Sequence, residues 1–381
     1  MATVNQIYSM VNDAASEALG KSAITAKDTG TLVSLGDQVF SSDTNKEQFY
    51  KALTDRIGRT VIAVREYNAK NRSVKRDEME WGAIYQKISY KWKDSTANPS
   101  WNAETQADPF DVEIGTVAVQ KLFSIIGTYS FEDSIPDYQL FTAFTSASAM
   151  GAYINGIYTN MANALAVADE NLANLAVSTN IAGVLKKGKA TQKRNLLAEY
   201  KTLTGDAEIT VANALTNLNF LKYATREIKT VIDNMTTMSV LYNAEADIPR
   251  HTPTDKQVVE VLGLFASASD TYLQADTYHK ELVALPNFEK VVYWQGSGTG
   301  FAFEDVSKIN ISNEKIDASP VEQGGILAFV HDVDSCASII YRRRSHSIYN
   351  PRAERFNIFE KADKGYAVDL SENAVVFYIA E

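Results

Sequence analysis

From Pro136 to Leu185 the sequence holds to one period for longer than anywhere else in the chain. Leu140, Phe141 and Phe144, then Ile154, Ile157, Tyr158, Met161, Leu165, Val167 and Ala168, fall at helical spacing and predict the longest helix, with a break near Gly151 or Gly156. Its many Ala and Gly residues make a slim helix that neighbours can approach closely. Segments on both sides switch to the two-residue period of strands, so the fold class is α+β.

Upstream, WGAIYQKISYKWKD places Ile84, Gln86, Ile88, Tyr90 and Trp92 on one face of a strand, and VEIGTVAVQKLFSIIGTYSF is a second strand-prone run. Pro99 and Pro109 punctuate the polar stretch between them, so residues 81–131 read as a long two-stranded hairpin with a mobile tip. A hairpin alone is marginal in water and must lie on something else. Before it, Ile7, Met10, Val11, Ala14, Ala15 and Leu19 predict an amphipathic helix stopped by Gly20. Residues 21–45, small and polar with weak period, read as an extended arm that needs a partner surface. Phe49, Leu53 and Ile57 predict a helix ending near Gly58, followed by Val61, Ile62 and Val64 in a strand-prone run.

Beyond Leu185, KKGKATQK is a basic turn, and NLLAEYKTL and TVANALTNLNFLKYATREIKTVIDNM predict helices separated at Gly205-Asp206. After Met238 the texture is α/β. KQVVEVL and NFEKVVYW read as strands around the helix SDTYLQADTYHKELVAL, capped by Ser269 or Asp270. Short strands follow in SKINIS, GILAFVH, ASIIYR, RFNIFEK and GYAVDLSE, and NAVVFYIA is apolar enough for a buried strand. No internal repeat is visible.

At 381 residues and 42.0 kDa the chain is at the upper edge of what one core organises, which favours one elaborate domain or two coupled lobes. With 45% hydrophobic and 22% charged residues it is globular in composition. A lone cysteine, Cys336, excludes an intramolecular disulfide framework and a Cys-only zinc site. The net charge of −10 opposes broad electrostatic capture of nucleic acid or anionic membrane. No apolar run reaches the roughly 18 residues of a membrane-spanning helix. The N-terminus has neither the basic start nor the apolar core of a signal peptide, so the expectation is a soluble chain, intracellular when made.

The residue types that carry chemistry have plainer readings. Gly296, Gly298 and Gly300 follow a strand, but a phosphate loop needs a helix directly after it, and FAFEDVSK reads as another strand. Among His251, His279, His331 and His346 none has the four-residue spacing of a helical metal pair. HDVDSC, residues 331–336, reads as a strand end with a solvated acidic turn, and Cys336 as a small core thiol. No coherent catalytic, cofactor or metal constellation emerges, and the chain is expected not to be an enzyme. Arg342, Arg343, Arg344, Arg352 and Arg355 concentrate positive charge, and pairing with a neighbouring chain's carboxylates suits an acidic protein better than nucleic-acid contact.

The order of elements, extended arm, long hairpin, long helix, mixed lobe and terminal buried strand, resembles the Hong Kong 97-type major capsid protein of tailed bacteriophages. TDRIGRTVI (54–62), FTAFTSASAMGAYINGIYTNM (141–161), HTPTDKQVVEVL with TYHKELVALPNFEKVVYWQGSG, and YNPRAERFNIFEKADKGYAVDLSENAVVFYIA (349–380) are similar to segments of the phi-29-like short-tailed phage major head proteins. Asn350-Pro351-Arg352 and Asn373-Ala374-Val375 match best, and the colinear order carries the resemblance. It implies an N-terminal helix and arm (1–58), an E-loop hairpin with flanking strands (59–135), a spine helix in a peripheral domain (136–190), an axial domain (191–345) and a return to the peripheral domain (346–381). The chain ends at Glu381 directly after the terminal strand, so an appended immunoglobulin-like domain is expected to be absent.

The implied function is a major capsid protein that self-assembles into hexamers and pentamers of an icosahedral shell. The shell would enclose double-stranded DNA without sequence-specific binding, with scaffolding and portal proteins as partners and no membrane. Its place is the virion, after synthesis in the bacterial host cytoplasm. An encapsulin-type compartment, which encloses a cargo enzyme, is the alternative. The residues to test are then contacts: Trp81, Tyr85, Tyr90, Trp92 and Trp101 as aromatic anchors, and Arg342, Arg343, Arg344 and Arg352 as inter-subunit ion pairs. Packing of these aromatics within their own subunit is the competing reading. Lys87, Lys91 and Lys93 raise the lysine–asparagine cross-link of some members of the fold, but phi-29-like relatives do without it and none is expected here.

Overall fold

A computed structural model describes residues 4–63, 74–75, 85–90, 118–123, 127–144, 147–245, 248–275, 288–296, 298–299 and 302–381. Helices α1 (Val4–Leu19), α2 (Thr29–Phe40) and α3 (Asp43–Ala63) precede strands β1 (Tyr85–Tyr90), β2 (Ala118–Phe123) and β3 (Gly127–Pro136). Helix α4 (Asp137–Ala143) leads into α5 (Ala147–Lys187), then β4 (Lys193–Asn195), α6 (Leu196–Thr204), α7 (Leu218–Met235), β5 (Gln257–Leu262) and α8 (Gly263–Ala275). Short strands β6 (Phe288–Val291), β7 (Gly298–Thr299), β8 (Ala302–Phe303), β9 (Ile309–Ile311) and β10 (Val321–Gln323) follow. The chain ends with β11 (Ile326–Asp332), the long β12 (Cys336–Asn350) and β13 (Arg355–Val368), and β14 (Ala374–Tyr378).

A five-stranded sheet of order β4-β14-β11-β5-β6 is covered on both faces. On one face Ala176, Val177, Ile181 and Ala182 of α5 pack with Leu262, Phe329 and Val376, and Trp294 closes the end of this core. On the other, α7 places Phe220, Leu221, Ala224, Ile228, Val231, Ile232 and Met235 in one stripe over Val259, Val261, Val330 and Phe377. Each fully buried aliphatic or aromatic side chain contributes about 1.5–3 kcal/mol, and β5 and β11, buried at every position, are mostly apolar, although β5 also buries Gln257 and Glu260 and β11 His331 and Asp332. Gly183 lets α5 approach the turn after β13, where an added Cβ would meet Leu370 at 2.6 Å.

The second body is a three-stranded sheet, β12-β13-β3, with α1, α2, α3 and the start of the long helix against its far end. Tyr50 of α3 stacks on Phe356 at 4.5 Å. Tyr349 donates to Asp137 at 2.7 Å, and burial together with that carboxylate pushes its phenol up to about 12. Among the described residues no helix is long and apolar enough to cross a membrane.

Several expectations change. The arm at 21–45 is not extended over its length. Asp28 and Thr31 form a reciprocal capping box that starts α2, whose Leu32, Leu35 and Val39 face the core. Asn12 clamps the preceding loop by exchanging two hydrogen bonds with Ala26, at 2.7 and 2.9 Å. Helix α3 runs through Gly58 and includes Val61 and Ile62, where helix continuity overrides local strand preference. The helical break falls before Ala147, and α5 passes through Gly151 and Gly156 unbroken. Ser269 and Asp270 lie inside α8, which starts at Gly263. Residues 346–381 divide between the two sheets, with β13 in one and β14 paired to β11 and β4 in the other, so the terminal segment does not return as one piece.

Candidate assembly surface

Strands β1 and β2 form the expected antiparallel hairpin, with Lys87 opposite Lys121, Ile88 opposite Gln120 and Gln86 opposite Leu122. Period-two alternation gives it two unlike faces. The inner face carries both lysines onto the body. Lys87 Nζ lies 2.9 Å from Asp369 and 2.7 Å from Glu372, and donates to the Asp334 carbonyl oxygen at 3.2 Å. Lys121 Nζ lies 2.7 Å from Asp369 and 3.1 Å from Glu245. Burial alone would push the Asp369 carboxyl up, but Lys87, Lys121 and Ser371 outweigh it and hold the group well below the usual carboxylate range. Burial likewise pulls Lys87 down, and Asp369 and Glu372 raise it above its ordinary value.

The outer face is apolar and open. Ile88 is 54%, Tyr90 67% and Leu122 60% exposed. These three large side chains share one side of a two-stranded ribbon, a surface that is open among the described residues. Tyr90 is one of these three exposed side chains. Tyr85 pairs through its backbone with Phe123, and its side chain lies outside the described residues, as do Trp81, Trp92, Trp101, Lys91 and Lys93.

The arginines separate by partner. A bulge between Ile340 and Arg342 changes the register of β12 against β13. Arg343 then reaches Asp169 on α5 at 3.1 Å, beside the buried Lys364, which binds the same carboxylate. Arg344 pairs with Asp363 on β13, which also accepts from Thr128 of β3 at 2.8 Å. Arg343 ties the ribbon to the long helix, and Arg344 ties two of the ribbon's own strands together. Arg342 and Arg352 are exposed.

The remaining candidates are structural. Cys336 is buried and, as the lone cysteine, forms no disulfide within the chain. The 331–336 segment is a strand end and turn of mixed exposure: Asp334 is exposed, whereas His331, Asp332 and Ser335 are buried, and Asp332 accepts from Thr252 at 2.8 Å. His331 Nδ1 lies 2.8 Å from the Asp332 carbonyl oxygen, which can only accept, so that nitrogen carries the proton. Gly298 sits in β7, paired to β8, with no helix behind it. Among the described residues no His, Cys, Asp and Glu side chains gather as a metal site.

Sequence reasoning named Ile88 only as part of an alternation and passed over Leu122, Lys121 and the acidic receptor of Asp369, Glu372 and Glu245. Period-two parity with Tyr90 is the signal that would have included Ile88; Leu122 requires the register between strands.

The fold is similar to that in the capsid structure of Staphylococcus phage Andhra, at 10% identity and a TM-score of 0.55, covering 83% of this chain and 84% of that one. It is equally similar to a chain in the structure of the head fibre and inner core protein gp22 of bacteriophage P68, at 10% identity and a TM-score of 0.55, covering 81% and 83%. No curated protein matches. Over residues 9–378 the sequence matches the family described as Phi29-like phage major capsid protein, and the chain belongs to that family.

Proposed function

We propose that this phage head shell protein closes into rings of six and five subunits, which tile an icosahedral wall around packaged double-stranded DNA, and that the outer face of the β1–β2 hairpin docks on a neighbouring subunit. The docked hairpin with Ile88, Tyr90 and Leu122 turned outward carries the reading. Burying that face against a neighbour removes apolar area from water, and a hairpin already held in place loses little further entropy on doing so. Head-to-tail contacts of this kind close into rings.

In this reading the topology is of the Hong Kong 97 type, with the hairpin as E-loop, α5 as spine helix and the five-stranded sheet as the axial domain. Its strand β14 then belongs to the axial domain although residues 346–368 lie with the peripheral one. Tyr85, Trp81, Trp92 and Trp101 remain proposed contacts of the hairpin, and Arg342, Arg343, Arg344 and Arg352 the proposed inter-subunit ion pairs, of which Arg342 and Arg352 are exposed and Arg343 and Arg344 also pair within the chain. The role is structural and assigns no catalytic residue. Scaffolding and portal proteins are its proposed partners, and synthesis in the host cytoplasm precedes incorporation in the virion. A net charge of −10 suits a wall that contains DNA with little grip on it. The family match gives no support to an encapsulin-type compartment.

Negative-stain microscopy of the purified chain tests this reading: rings or uniform shells are expected, and monomers persisting at high concentration would overturn it. A denaturing gel of assembled shells is expected to show single chains only, and a ladder of multimers would reveal a lysine cross-link.

A further inference from the structure

The hairpin's inner face poses a problem that its own strands do not solve. Lys87 and Lys121 stand directly opposite each other in the register, and like charges in that position destabilise a strand pair. Their repulsion is offset only by the receptor beneath, where Asp369 takes one lysine on each carboxylate oxygen, at 2.9 and 2.7 Å. That receptor is held by hydrogen bonds of its own. Asp369 accepts from the Ser371 backbone at 3.0 Å and from its hydroxyl at 2.7 Å. Its own N–H donates to Ser335, and Ala244 and Glu245 both donate to Leu370, at 2.7, 2.9 and 3.1 Å. Among the described residues, Arg250 on Glu372 at 3.2 Å and Lys187 on Glu245 at 3.4 Å also face the site.

We propose that Lys87 and Lys121 are a charge latch that fixes the attitude of the hairpin on its own subunit before a neighbour arrives, with Asp369, Glu372 and Glu245 as its receptor. This rests on the proposed function only for its consequence, that the latch sets the angle at which the apolar outer face is offered. The pairs are largely shielded, so salt screens them less than surface pairs. The Asp369 carboxyl is depressed, so its contribution is complete above the ordinary aspartate value near about 4 and is lost only as pH falls through the folded value. The latch therefore holds at mildly acidic pH.

Hydrogen exchange on the unassembled full chain tests it. In Lys87→Met/Lys121→Met, which keeps the aliphatic stems, exchange over 85–90 and 118–123 is expected to rise at least about tenfold, the equivalent of roughly 1.4 kcal/mol, while β12 and β13 keep their rates. Lys87→Arg/Lys121→Arg is expected to stay protected. If the double Met variant does not fold, Lys121→Met alone should show a smaller rise over the same peptides. Unchanged exchange in the Met variants, or equal loosening in the Arg variant, would overturn the latch. Failure of the wild-type chain to form rings or shells would overturn the assembly reading and leave this result standing.

Discussion

The five-stranded sheet and the β1–β2 hairpin are both made of short strands, yet they end in opposite states. The sheet is covered on one face by α5 and on the other by α6, α7 and α8, and β5 and β11 are buried throughout. The hairpin is covered on one face only, by charge, and its apolar side faces solvent. The sheet belongs to the folding of one chain. The hairpin's exposed face is where, in the proposed reading, a neighbouring subunit docks.

Substitutions on the two sides of this contrast should separate stability from assembly. The largest loss of stability is expected in the sheet: Phe329→Ala empties a fully buried site stacked on His331 and should cost about 3–5 kcal/mol in urea unfolding. Asp169→Ala removes the carboxylate shared by Arg343 and the buried Lys364 and should cost about 3 kcal/mol by the same measurement. Asp28→Ala removes the α2 cap and should cost about 1 kcal/mol, read as faster amide exchange at the start of that helix. Smallest of all, Ile88→Ser with Leu122→Ser should leave the unfolding midpoint of the isolated subunit within about 0.5 kcal/mol of wild type, because both side chains are already in water.

The same contrast explains what could be read in advance. KQVVEVL, GILAFVH and NAVVFYIA read as strands because apolar residues dominate each of them, in NAVVFYIA enough for a buried one, and the hairpin shows in its alternation; the buried Glu260 and His331 within these strands carry no such signal. Helix α2 is illegible locally: Leu32, Leu35 and Val39 are sparse, and the capping box and the clamp from Asn12 supply what propensity lacks. The charged partners were out of reach for another reason. Lys121 and Asp369 are 248 residues apart, and Arg343 and Asp169 are 174 apart, so no spacing rule joins them. Runs of arginine therefore looked outward, although two of the residues tie the ribbon inward.

The most direct test of the central claim is sedimentation and negative-stain microscopy of Ile88→Ser/Tyr90→Ser/Leu122→Ser beside the wild-type chain, under conditions where the wild type assembles. The account predicts folded subunits of wild-type stability that form neither rings nor shells. Normal shells from this variant would contradict it, because the hairpin's open face would then be no contact at all.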